Sequence, residues 1–150
     1  MSTRTYTSRR ANILRALAEK LKDIDGSGAF LTDLQNNVHP RLKFWDEVVE
    51  FPAIHLNAGA ETREYQAGGY KDRFLSVTIR CYVQEEDAQQ ALNVLMEDVE
   101  TLIEDNAQLE YFDRQNNAFK TQQITIISID TDEGVLEPLG VGEILIEVRY

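Results

Sequence analysis

The residues that could carry chemistry fall into four groups. Asp23-Ile24-Asp25-Gly26-Ser27-Gly28 opens like a calcium-binding loop. That loop requires a bidentate glutamate at its twelfth position. Here the twelfth position is Leu34, so the segment reads as a glycine-rich turn after a helix. Asp130, Asp132 and Glu133 could hold a divalent cation, but hydrolysis also needs carboxylates gathered in a cleft with a general base. Three acids ending at Gly134 fit a solvated strand end better. His39 and His55 are the only histidines, and no serine or cysteine is identifiable as a partner to either. His39 precedes Pro40, and His55 should point out of its strand, opposite Ile54 and Leu56. Cys81 falls on the inward side of an alternating strand, where a thiol acts as a small apolar filler. Gly26-Ser27-Gly28 lacks the lysine and following helix of a phosphate-binding loop. No active site is readable, and a non-enzymatic role without a cofactor or metal is expected.

The composition supports this. The 150 residues are 43% hydrophobic, enough for one domain spanning 1–150 with its own core. A single cysteine excludes an internal disulfide or a thiolate metal cluster. The first ten residues are polar and do not resemble a secretory signal. No stretch approaches the ~20 apolar residues that span a bilayer. Together these point to a soluble protein made in a reducing compartment. A net charge of −11 argues against gripping nucleic acid or an anionic membrane, both of which call for clustered Lys and Arg. It does not argue against letting DNA slide past.

Residues 8–25 have the period of an amphipathic helix, with Ile13, Leu14, Leu17, Ala18, Leu21 and Ile24 apolar. Thr7 or Ser8 can cap it, and Gly26 should stop it. Its exposed side carries Arg9, Arg10, Arg15, Lys20 and Lys22. The early arginines oppose the helix dipole and call for a partner elsewhere. Residues 35–50 show no clean period. A strand is expected at 53–57, a turn at Gly59, a polar strand at 61–66 and a break at Gly68-Gly69. Residues 72–84 alternate most clearly. At ~3.3 Å per residue they reach roughly 40 Å, so one end should project beyond the core. Residues 85–106 form the second helix, with Ala88, Leu92, Leu95, Val99 and Leu102 buried and Glu85, Glu86 and Asp87 in its first turn. Residues 107–121 read as an aromatic, polar connector. Strands at 122–130 and 139–150 complete the chain. A short strand near Phe30 is a further expectation. The order α-β-β-β-α-β-β predicts an α+β fold: a single, mostly antiparallel sheet with two amphipathic helices on one face.

The stretch Thr131-Asp132-Glu133-Gly134-Val135-Leu136-Glu137-Pro138-Leu139-Gly140-Val141-Gly142 and the closing strand carry a resemblance. So do Phe51-Pro52-Ala53-Ile54-His55-Leu56-Asn57-Ala58-Gly59, the acidic second helix and the Ile13-Leu14-Arg15-Ala16-Leu17 helix. Together, over about residues 11–150, they resemble the tail terminator proteins of long-tailed bacteriophages, also called tail completion or minor tail proteins. The resemblance implies an α+β subunit of a six-membered ring. Such a ring caps the tail tube, stops its polymerisation and offers a surface for joining the head. DNA passes through it without specific binding. Implied partners are other copies of the chain, the major tail tube protein and a head-completion or connector protein. The implied location is the head-proximal end of the virion tail, assembled in the host bacterial cytoplasm.

Family interface residues are not a fixed motif, so candidates come from the residues themselves. Arg41, Lys43, Phe44 and Trp45 form an aromatic, basic loop of the kind that anchors interfaces; the alternative is that Trp45 tucks back onto the core. Tyr111-Phe112-Asp113-Arg114 has the same two readings. Arg9, Arg10 and Arg15 on the first helix are segregated from Glu97, Asp98, Glu100 and Glu104 on the second. Head-to-tail rings need two different complementary patches, although these faces could also be solvated or pair within one subunit. The alternatives are another phage neck or tail component (a head-closure or tail-tube-like protein), a metal-dependent hydrolase using Asp130, Asp132 and Glu133, and a host-directed inhibitor mimicking DNA.

Overall fold

The computed structural model describes residues 8–150. Helix α1 (Arg9–Leu21) starts where Ser8 Oγ accepts the Ala11 N–H at 3.2 Å. Thr7, the other expected cap, lies outside the described residues. The helix ends before Gly26. Asp23 and Ile24 instead bond back to the carbonyls of Lys20 and Leu21 in a tighter turn, which still places Ile24 in the core. Strand β1 (Val38–His39) is followed by β2 (Ala53–Tyr65), β3 (Lys71–Gln84), helix α2 (Ala88–Asp105), β4 (Glu110–Phe112), β5 (Ala118–Lys120), β6 (Gln123–Thr131) and β7 (Leu139–Arg149).

The main sheet has the order β1-β2-β3-β7-β6, and every pairing is antiparallel except β1 with β2. The predicted α+β class holds. Several details differ from expectation. First, residues 53–57 and 61–66 are one strand. Gly59 and Ala60 together face Ser76, so the expected turn is a β-bulge, which inserts a residue without ending the pairing. Second, no strand forms near Phe30; the nearest pairing is an isolated bridge from Asp25 to Asp33. Third, the 107–121 connector contains the two-stranded β4–β5 ribbon. Helix α2 also starts later than expected: Glu85 and Glu86 precede it, and Asp87 is its cap, accepting the Gln90 N–H.

Leu75, Val77, Ile79, Cys81 and Val83 of β3 point inward, beside Ile54, Leu56, Ile144, Ile146 and Val148. They meet Ile13, Leu17 and Leu21 of α1 and Leu92, Leu95, Val99 and Leu102 of α2. Burying each such side chain contributes about 1.5–3 kcal/mol. Helix α1 lies over β1, β2 and β4, and α2 over β7, β3 and β6, so the helices sit on opposite flanks of one sheet face. Strand β3 pairs with β7 only from Phe74 onward. The tip of the β2–β3 hairpin therefore projects past the sheet, as the length of β3 predicted, with Tyr65 and Tyr70 about three-quarters exposed.

Candidate interface surfaces

Asp25, Asp132 and Cys81 each serve local structure. Asp25 accepts the backbone N–H of Ser27 at 3.0 Å and also its hydroxyl, which lowers the Asp25 pKa. Leu34, where a calcium loop needs its glutamate, is fully buried. Asp132 accepts from Gln89 Nε2 (2.9 Å) and the Leu136 N–H (3.2 Å), closing the β6–β7 connection, while Asp130 stands opposite Glu143. Among the described residues, no three His, Cys, Asp or Glu side chains gather to hold a metal ion. Cys81 faces inward as expected, and burial pushes its thiol up to about 12, leaving it un-ionised at neutral pH.

His55 departs from expectation. It lies on the sheet face opposite Ile54 and Leu56, but the segment after β1 folds over that face and buries it. Its Nδ1–H donates to the Arg41 carbonyl (3.2 Å), and its ring stacks on His39 with centroids 5.0 Å apart. Beside it the Tyr82 hydroxyl donates to the Lys43 carbonyl at 2.6 Å, and Val48 packs with Ala53 and Tyr82. The loop backbone is thus pinned at two carbonyls while most of its side chains face out. Phe44 is 56% exposed and Trp45 48%, so Trp45 does not tuck onto the core. Arg41, Phe44 and Trp45 are exposed, while Lys43 is half-buried beside His39 and His55.

Desolvation holds the His55 pKa below its ordinary value, and His39, Lys43 and Arg41 nearby oppose its protonation further. Below pH ~6.5 the unfolded chain therefore takes up a proton at this position more readily than the folded one. Stability should fall as pH drops from about 7.5 to 5.5, before carboxylates titrate. The slope should be shallower in His55→Gln, as read from melting temperatures at each pH. Equal slopes in both proteins would remove this role from His55.

The helix candidates divide. Arg9 places its guanidinium 5.0 Å from the centre of the Phe119 ring, and Arg10 donates to the Gly59 carbonyl, exposed by the bulge. These are the partners the helix dipole called for. Arg15 remains exposed beside a groove with Phe112. On α2, Glu97 and Glu104 are exposed and Glu100 is half-buried. Asp98 is buried: its carboxylate accepts the N–H groups of Leu31 and Thr32, at 2.8 Å for Thr32. It is therefore a staple for the 30–32 segment and not part of the acidic face. In the ribbon, Tyr111 is buried against Tyr150, while Phe112 is partly exposed.

Sequence reading singled out Arg114 only as part of the 111–114 stretch, and it missed Arg63 and Arg73. The fold brings all three together with Arg9 and Arg10 around one cavity of about 350 Å³. Linear spacing carries no sign of this, because the five come from α1, β2, β3 and the β4–β5 turn. It also missed Tyr65 and Tyr70 as a pair, although the Gly68-Gly69 break between them marks a hairpin tip.

Comparison with known proteins places the chain beside characterised relatives. A family profile described as Bacteriophage Tail Tube Terminator Protein matches residues 7–150. The chain is 33% identical over 149 residues to the tail tube terminator protein p142 of Escherichia phage T5, covering 94% of this chain and 92% of that protein.

Proposed function

The chain belongs to the bacteriophage tail tube terminator family, a structural component of the virion tail, and from that premise we propose that residues 1–150 act as one domain that caps the tail tube as a six-membered ring. The ring stops tube polymerisation and supplies the surface that joins the tail to the head. Its partners are other copies of itself, the major tail tube protein and a head-completion or connector protein. It sits at the head-proximal end of the tail and is assembled in the host bacterial cytoplasm. The family match across nearly the whole chain carries this reading.

The physical features are consistent with it. DNA must pass such a ring without being held, and a chain of net charge −11 offers phosphates no general attraction. The pinned loop of Arg41, Lys43, Phe44 and Trp45 presents the residue types that anchor interfaces. The arginines of α1 and the α2 glutamates Glu97, Glu100 and Glu104 are candidates for contacts between subunits. Single exposed ion pairs contribute only ~0–1 kcal/mol, so such contacts act as a set. No helix among the described residues is long and apolar enough to cross a membrane.

Reconstitution tests the proposal. Tails from a virus defective in this gene are incubated with the purified protein and then with filled heads. Infectious particles are expected to appear in proportion to added protein. No gain over buffer, with protein that melts cooperatively, would contradict the proposal.

A further inference from the structure

We infer that the arginine-lined cavity at the base of the β2–β3 hairpin is a socket for carboxylates of a second copy of this chain, supplied by the exposed face of its α2. The inference rests on the ring reading above and assigns its subunit contact.

The cavity forms where the first turn of α1, the hairpin base, the β4–β5 turn and Tyr150 meet. Arg9, Arg10, Arg63, Arg73 and Arg114 line it, five of the chain's 15 basic residues, against only Glu61 and Asp113. Among the described residues, only Arg63 of the five has an ion pair, to Glu61 at 3.0 Å. Arg9 and Arg73 each place the guanidinium carbon over an aromatic ring, Phe119 at 5.0 Å and Tyr150 at 5.5 Å from its centre. A guanidinium stacked on a ring keeps its N–H edge for an acceptor in its own plane. Asp113, which also accepts the N–H groups of Gln115 and Asn117 at 2.9 and 2.8 Å, and Glu61 set two carboxylates against five guanidinium groups. A chain with 26 acidic residues has thus kept one concave, largely uncompensated positive site.

Guanidinium edges recognise carboxylates and phosphates. A space of about 350 Å³ admits side chains and not a duplex, and the net charge of the chain opposes a nucleic-acid backbone. A carboxylate source stands on the chain itself. There is no Lys or Arg between Arg80 and Arg114. Glu97, Glu100 and Glu104 share one face of α2 by their three- and four-residue spacing. Because α1 and α2 pack on opposite flanks of the sheet, the socket beside α1 and the acidic face of α2 are two different patches of one subunit. That is the arrangement a head-to-tail ring requires.

Paired cysteines test this on assembled tails. Cys81 is the only native cysteine and is buried, so it does not compete. Virus carrying Arg114→Cys together with Glu104→Cys is oxidised, and its tail protein is run on a non-reducing gel. A ladder of multimers, absent from either single variant, is expected. If a lysine-reactive crosslinker gives multimers of this variant but oxidation gives none, the socket assignment fails and the ring stands. If neither gives multimers, both fail. As a second arm, Arg63→Glu with Arg114→Glu should lower complementation of a gene deletion at least about tenfold, since like charges brought together across an interface cost several kcal/mol. Glu97→Lys with Glu104→Lys should recover part of that loss. Full complementation by the first pair would overturn the inference.

Discussion

Replacing Gly140 with valine is expected to lower the stability of this protein by about 3 kcal/mol, the upper end of the usual cost of overpacking. Local preference points the other way. Valine favours strands by up to ~1 kcal/mol, and removing a glycine stiffens the unfolded chain by a further ~0.4–1 kcal/mol. Sterics should win because of what lies above β7. A Cβ at Gly140 would sit 2.7 Å from Val83 Cγ2 and 3.1 Å from the Ala88 carbonyl oxygen, a backbone atom in the first turn of α2. The helix would have to lift. At Gly142 the nearest atom is Met96 Sδ at 2.6 Å, with Leu92 Cδ1 at 3.1 Å. A methionine end can swing aside, so Gly142→Ala should cost less than Gly140→Ala. For 150 residues, 3 kcal/mol corresponds to a drop of roughly 6–12 °C in Tm. Calorimetry or a circular dichroism melt reads this directly. A Gly140→Val protein melting within about 2 °C of the parent would show that α2 is not seated on these glycines.

The same pair of glycines shows what was and was not legible in the sequence. The period of two in residues 72–84, the helical stripes and the burial of Cys81 could be read locally, because each follows from which face of one element is apolar. Gly140 and Gly142 were visible within the resemblance, but their reason was not, since it lies in a helix about fifty residues earlier. The Gly59 turn was misread for a related cause: glycine serves a turn and a bulge equally well, and the continued pairing with β3 decides between them. His55 alternates as predicted, yet is buried by a loop with no period of its own. Asp98 looked like one more acid on a charged helix. Its two backbone partners come from residues 31 and 32, which no helical spacing connects to it. The arginine cavity is the extreme case, built from elements that only the tertiary fold brings together.

The largest effect expected of any change is that of removing the gene. If the protein ends tube growth and supplies the joining surface, its loss affects both steps at once, because one missing ring leaves the tube without a stop and the head without a partner. Changes at individual residues should be far milder. Interface contacts spread over several charged and aromatic side chains lose only a part of their strength with each substitution. Electron microscopy of lysates from a virus lacking this gene is the most direct measurement. The account predicts filled heads beside separate tails of abnormal length, both corrected when the gene is supplied in trans. Tails of normal length joined to heads in the absence of the gene would contradict it.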